Sequence, residues 1–158
     1  MSKDNTRIER QLTVLLRKSV RIHLSTQRGD VTLERSAYGI MCQLADEGPQ
    51  RLGALASAFG LDPSTITRQV RDLENAGFAF RQTDPSDRRA FVLDLTPCGR
   101  EVLEQSRDHR RNKLQEALSN WSSRDLNDFG RLLQEFNTSM DRLAAFGVIL
   151  FSNAFVPY

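Results

Sequence analysis

Residues 61–77 read Leu61-Asp62-Pro63-Ser64-Thr65-Ile66-Thr67-Arg68-Gln69-Val70-Arg71-Asp72-Leu73-Glu74-Asn75-Ala76-Gly77. Asp62 carries the short side chain that caps a helix. Pro63 follows at the first helical position, where a missing N–H costs nothing, and Gly77 supplies the stop. Between them Ile66, Val70 and Leu73 recur at helical spacing and predict the buried stripe. Ser64, Arg68, Arg71 and Asn75 fall on the opposite face, which is left to solvent or to a partner.

Working upstream, Leu52, Leu55, Ala56 and Phe59 predict a short helix that stops at Gly60, a residue that takes the left-handed conformation at no steric cost. Two helices joined this tightly, the second burying one face on the first, are a helix-turn-helix. A preceding helix over 34–46 buries Ala37, Ile40, Met41 and Leu44, and Gly48-Pro49 turns the chain. Ile8, Leu12, Leu15, Ser19 and Ile22, widened by Leu16 and Val20, set a first helix near 7–27, ended by Gly29 and Asp30.

Working downstream, Phe78–Thr83 and Ala90–Leu95 are aromatic and β-branched runs separated by Asp84-Pro85-Ser86-Asp87-Arg88-Arg89, two strands and a polar turn with the arginines at its tip. Thr96 and Pro97 open a helix expected to run through Val102, Leu114, Leu118 and Trp121. Ser122 or Ser123 caps a last one starting near Asp125, with Leu126, Phe129, Leu133, Phe136, Met140 and Leu143 on its stripe and Gly147 as its terminus. The expected fold class is mainly α (α+β). No repeat, low-complexity tract or flexible linker interrupts it, so 1–158 reads as a single domain.

A chain of 158 residues, 39% hydrophobic and 27% charged, is sized for one globular domain. The formal charge is only +2, so attraction to a polyanion must come from local patches. Lysine occurs only at Lys3, Lys18 and Lys113, leaving arginine, whose planar fork suits bidentate phosphate or guanine contacts, to supply the rest. Two cysteines, Cys42 and Cys98, make no disulfide framework, and the polar start carries no secretory signal, so a cytoplasmic location without membrane insertion is expected. From Leu143 to Tyr158 there is no acidic residue, lysine or arginine, yet the stretch is too short to span a bilayer; it is expected to cover a partner subunit.

The 61–77 run strongly resembles the recognition segment of the MarR family of bacterial transcription regulators. Asp84-Pro85-Ser86-Asp87-Arg88-Arg89-Ala90, followed by Leu93, Leu95-Thr96 and Gly99, is similar to that family's wing leading into its dimerisation helix. The resemblance is clear over about residues 35–105, and element order extends it to nearly the whole chain. It implies a winged helix-turn-helix DNA-binding lobe at 34–96 and a helical dimerisation region at 7–28 and 97–158. The implied assembly is a homodimer presenting two lobes to palindromic double-stranded DNA, as a repressor rather than an activator. Phe129, Phe136, Phe146, Ile149, Leu150 and Phe155 independently offer more apolar surface than a terminal hairpin can hide.

On this reading Ser64, Thr65, Thr67, Arg68, Arg71 and Asn75 face DNA, with Arg68 the leading base reader, and Asp72 is expected to point aside or pair with Arg68. Arg88 and Arg89 are placed to probe a minor groove, only one of them reaching it. The resemblance further implies that a wing-tip arginine is held by a preceding acid, which makes Asp84 and Asp87 orienters. It also implies a small aromatic or phenolic effector between lobe and helical hub; Arg17, Arg21, His23, Tyr38 and Met41 are the candidate wall.

Cys42 reads as structural. Cys98, at a helix start where thiolates are favoured, is the better candidate for a redox-responsive regulator. His23 and His109 are the only histidines, no cluster has metal-ligand spacing, and Arg107-Asp108-His109-Arg110-Arg111 reads as a solvated helical charge run. No phosphate loop, nucleophile elbow or catalytic triad is present, so neither an enzyme nor a cofactor is expected. The rival class is a winged-helix module that binds protein instead of DNA.

Overall fold

The computed structural model describes residues 3–22 and 35–145. Along the chain these form α1 Lys3–Ile22, α2 Arg35–Glu47, α3 Leu52–Phe59, α4 Pro63–Asn75, β1 Ala79–Asp84, β2 Asp87–Leu95, α5 Pro97–Ala117 and α6 Ser123–Ala145. The fold is mainly helical with a small antiparallel wing. Two compact units meet in sequence between Arg110 and Arg111.

Helix α4 starts where its first turn finds acceptors. Asp62 Oδ1 accepts the amides of Ser64 and Thr65, each at 2.9 Å, and Pro63 occupies the first helical position. Immediately before it, α3 ends on Gly60 in the left-handed region at φ 60°, and the Leu61 amide reaches back to Ala56 O at 3.0 Å. The connection is therefore three residues long, short enough to force α3 and α4 to pack. At the other end Gly77 takes φ 72° and the Phe78 amide donates to Leu73 O at 2.9 Å, which turns the chain directly into β1.

The expected stripes of α2, α3 and α4 converge on one core. Ile40, Met41 and Leu44 from α2, Leu55 and Ala56 from α3, and Ile66, Val70 and Leu73 from α4 are buried together with Phe78, Ala79, Leu93, Leu95 and Leu103. Each fully buried aliphatic side chain stabilises by roughly 1.5–3 kcal/mol, so this cluster fixes the lobe. Phe59, at the end of α3, is 38% exposed, and its ring lies over Gly39 of α2.

The wing is tighter than its sequence suggests. Strands were expected to leave Asp84–Arg89 as the turn, but only Pro85 and Ser86 lie between β1 and β2. The cause is Asp84, whose Oδ1 accepts both the amide and the hydroxyl of Ser86 and closes the turn, with a register shift at Thr83/Asp84 and Asp84 opposite Asp87. Arg88 and Arg89 are consequently strand residues just past the tip. Gln50, ahead of α3, pairs with Leu93 through two backbone hydrogen bonds of 3.1 and 2.8 Å.

Helix α5 opens as expected on Thr96, whose Oγ1 accepts the Gly99 amide at 2.9 Å and donates to Gly77 O at 2.6 Å. It stops at Ala117, so Trp121 lies beyond it, packed edge-on against Phe129 at 5.4 Å. Ser122 caps α6, accepting the Asp125 amide and donating to its carboxylate. Leu126, Phe129, Leu132, Leu133 and Phe136 along α6 are exposed, as are Ile8, Leu15 and Leu16 on α1. Helix α1 begins earlier than expected; its expected end, the α6 terminus at Gly147, and Phe146, Ile149, Leu150 and Phe155 lie outside the described residues.

Candidate nucleic-acid interface

The arginines between residues 51 and 107 sort into two groups. Arg51 pairs with Asp84 at 2.7 Å, Arg81 with Glu74 at 3.1 Å, Arg100 with Asp94 at 2.7 Å and Arg107 with Asp46 at 2.7 Å. Arg68, Arg71, Arg88 and Arg89 are exposed and make no ion pair among the described residues. The unpaired four are those that sequence reasoning placed against DNA, two on α4 and two on β2. Of the two alternatives for Asp72, no pair with Arg68 forms among the described residues; Asp72 is exposed, and Glu74 is turned toward the wing by Arg81.

Asn75 and Ser64 are exposed on the same helix, and Thr65 and Thr67 are half-buried. The three hydroxyls are already engaged. Ser64 and Thr65 donate to the Asp62 carboxylate, and Thr67 donates to Pro63 O at 2.6 Å. These bonds, first the Ser64 hydroxyl and then the Thr65 hydroxyl and amide, hold the Asp62 carboxyl well below the usual carboxylate range. Hydroxyls spent in this way keep lone pairs but no free proton, which changes what they can offer a phosphate.

Arg88 and Arg89 are consecutive on a strand, so their side chains leave opposite faces and only one can look into a given groove. Asp87 Oδ1 accepts the Arg89 amide at 3.0 Å. Asp84 is 7% exposed, and the cation it holds is Arg51 at the start of α3, with neither wing arginine bonded to its carboxylate. Bonds from the Ser86 hydroxyl and amide, then from Arg51, lower its pKa to about 2. Arg51 also lies 3.6 Å from Asp87. Sequence reasoning missed Arg51 because the partner is thirty-three residues away and no local spacing announces it.

Three side chains of the candidate effector wall, Arg17, Tyr38 and Met41, are described. Met41 has no exposed surface and belongs to the core, so it offers nothing to a ligand. Arg17 is exposed on α1, Arg21 lies on the same helix, and His23 falls outside the described residues. Tyr38 is half-buried beneath the Arg110 guanidinium, 3.6 Å from the ring centre. Burial and a hydrogen bond with the Cys42 thiol push its phenol up from the ordinary value. The 107–111 run is thus no plain solvated face: Arg107 and Arg110 are both half-buried, and the Asp46 carboxylate and Glu104 hold Arg107 firmly charged.

Cys98 is exposed and Cys42 half-buried, and both are free thiols. Among the described residues no group of three or more His, Cys, Asp or Glu could hold a metal, and no helix is long and apolar enough to cross a membrane.

Residues 33–91 match the model of the MarR family. The chain is 37% identical to an HTH-type transcriptional regulator, YxaD of Bacillus subtilis, over 82% of this chain and 90% of that one. It is 31% identical to the HTH-type transcriptional repressor NicR of Pseudomonas putida over 64% and 67% of the two chains. The crystal structure of RV1404 from Mycobacterium tuberculosis superposes with a TM-score of 0.74 at 25% identity, covering 89% of this chain and 96% of that one. With helix, turn and wing in the family's order and a near full-length relative at this identity, the chain belongs to the MarR family of DNA-binding winged helix-turn-helix transcription regulators and is not an enzyme.

Proposed function

We propose that the chain acts as a homodimeric repressor that occupies a pseudo-palindromic operator, reading the major groove with α4 and the minor groove with one wing arginine. The single observation that carries this is the sorting of the arginines: those of α4 and the wing tip stay unpaired while their neighbours are neutralised. Unpaired guanidinium groups are free to displace condensed cations from phosphates and to reach base edges. Arg68 and Arg71 are the base readers; Ser64, Thr65, Thr67 and Asn75 set the fit of the helix; Asp84 and Asp87 orient the wing. The resemblance to NicR, a repressor, supports the sign of regulation.

The dimer rests on the exposed apolar stripes of α1 and α6, which a lone chain would leave in water. Two lobes reading one face of a duplex require half-sites about 34–36 Å apart, one helical turn. Selection of bound duplexes by the purified protein, followed by footprinting, tests all of this: one protected palindrome with that spacing is expected. Sedimentation as a stable monomer at micromolar concentration, or enrichment of no sequence, refutes it.

A small aromatic or phenolic effector is supported by one observation, the Tyr38–Arg110 stack, where a guanidinium and a ring stand together on half-buried ground. An anionic aromatic compound that meets Arg110 there and releases DNA is the expected ligand. A thermal-shift and DNA-release screen of aromatic acids, repeated on Tyr38→Ala, identifies it; no hit, or hits indifferent to the substitution, removes the reading.

A further inference from the structure

The wing is held to the rest of the lobe at two places of different kind. Near its base the Gln50–Leu93 backbone pair, with buried Leu93 and Leu95, fixes the ribbon to the core. Toward the tip that support thins to Val92, the last buried apolar side chain of β2 before the turn. A cleft of about 570 Å³ opens there, lined by Pro49, Gln50 and Ala54 on one wall and by Gln82, Pro85 and Val92 on the other. Arg51 and Asp84 span this cleft, Nε and Nη2 of the guanidinium both reaching Asp84 Oδ2 at 2.7 Å.

Both ends of that strut are anchored. Arg51 follows the paired Gln50 and caps α3, its carbonyl accepting the Leu55 amide at 3.1 Å. Asp84 is buried and uses its other oxygen to close the two-residue turn at the tip. Val92 is buried on the wing side of the cleft, and beyond it Arg51, bonded to Asp84 and 3.6 Å from Asp87, is the polar link that sets the pitch of the distal ribbon relative to the helix pair α3–α4. Resting on the DNA-reading role above, we infer that Arg51 is a positioning residue for operator recognition, holding the wing through Asp84 so that the Arg88-Arg89 strand and α4 meet one duplex together.

The proposal makes a prediction opposite in sign to plain electrostatics. Neutralising an acid beside DNA ordinarily strengthens binding, because a repulsion to phosphate is removed. Asp84→Asn, which keeps an acceptor for Ser86 but loses its charge, should instead weaken binding to a selected operator duplex by roughly tenfold, the size of a typical coupling between contacting residues. Arg51→Met should lose a similar factor, and the double variant should lose no more than either single one. In a protein already carrying Arg88→Ala and Arg89→Ala, Asp84→Asn should have no further effect, since the wing then has nothing left to place.

Hydrogen exchange supplies a readout independent of DNA: the amides of Thr83 and Phe91 should exchange faster in Asp84→Asn than in wild type, while those of α4 do not change. Equal or tighter operator binding by Asp84→Asn, with Arg51→Met still weakened, would show that Arg51 touches phosphate directly and overturn the inference. Unchanged wing exchange would overturn it as well. Wild-type protein that binds no duplex would sink the DNA-reading role itself, and the exchange experiment would still decide whether the strut holds the wing.

Discussion

Gly99 stands against the backbone of Phe78 so closely that a Cβ added to it would lie 2.0 Å from the Phe78 carbonyl oxygen. Wing, helix-turn-helix and α5 meet here, because the same carbonyl accepts the Thr96 amide while Thr96 caps α5. The near contact is with backbone, which cannot swing aside. Gly99→Ala should therefore cost about 2–4 kcal/mol of unfolding free energy, an overpacking penalty at the upper end of its class. Gly53, within α3, has nothing within 4 Å of such an atom, so Gly53→Ala should stabilise by about 0.5–1 kcal/mol. Urea unfolding of the two variants checks both signs at once.

Removing one of the unpaired arginines should change binding without changing stability. Arg68→Ala is expected to lose about 1–3 kcal/mol on the selected operator and to relax preference at one base pair. Arg89→Ala should weaken binding with little shift in melting temperature. A residue that contacts phosphate also lowers the salt slope by about 1 when removed. Titrations at several salt concentrations, beside thermal unfolding, separate these outcomes; unaltered affinity for both variants would contradict the interface.

Acid should loosen the lobe through its two bonded carboxylates. Asp84 has its pKa lowered from 3.8 to about 2 in the folded chain, and Asp62 is lowered as well. A carboxyl that binds its proton more weakly when folded stabilises the fold above its unfolded pKa and loses that contribution as pH falls through the folded one. For Asp84 the loss should run from about pH 4 down to about pH 2. Unfolding midpoints measured across this window should fall in wild type and fall less steeply in Asp84→Asn.

The two thiols should react in a fixed order. Cys98 is exposed at the start of α5, whereas Cys42 is half-buried against the core and bonded to Tyr38. Under native conditions an alkylating reagent should modify Cys98 first, and Cys42 should react at a rate limited by opening of the lobe. Mass spectrometry of partially labelled protein reads the order directly. Faster labelling of Cys42 would mean that the α2 face opens more readily than its packing implies.

Local chemistry made much of this lobe legible beforehand. The Asp62 cap, Pro63, Gly60 and the Ile66–Val70–Leu73 stripe each carry their information within one or two turns, and all appear where the sequence puts them. The wing was read one step too loosely, because a six-residue polar run gives no sign that the Asp84 side chain will close it in two residues. Contacts between distant elements were invisible for a similar reason. Arg51 reaching Asp84 and Arg110 lying over Tyr38 depend on how elements pack, and a charge run on α5 looks the same in sequence whether it faces water or a tyrosine. Met41 was misread in the other direction, since a flexible thioether suits a ligand wall and a filled interior equally well.

On the proposed reading of the major groove by α4, the inward-turned hydroxyls at its front set which bases that turn should suit. With their protons committed to Asp62 and to Pro63 O, Ser64, Thr65 and Thr67 present only lone pairs outward. Lone pairs match the exocyclic amino groups of the major groove, N4 of cytosine and N6 of adenine, and mismatch the O6 and N7 of guanine, which the arginines further along the helix are shaped to take. One helix face thus carries acceptors at its leading end and donors behind them, a polarity that, on the proposed reading, should give each half-site a direction.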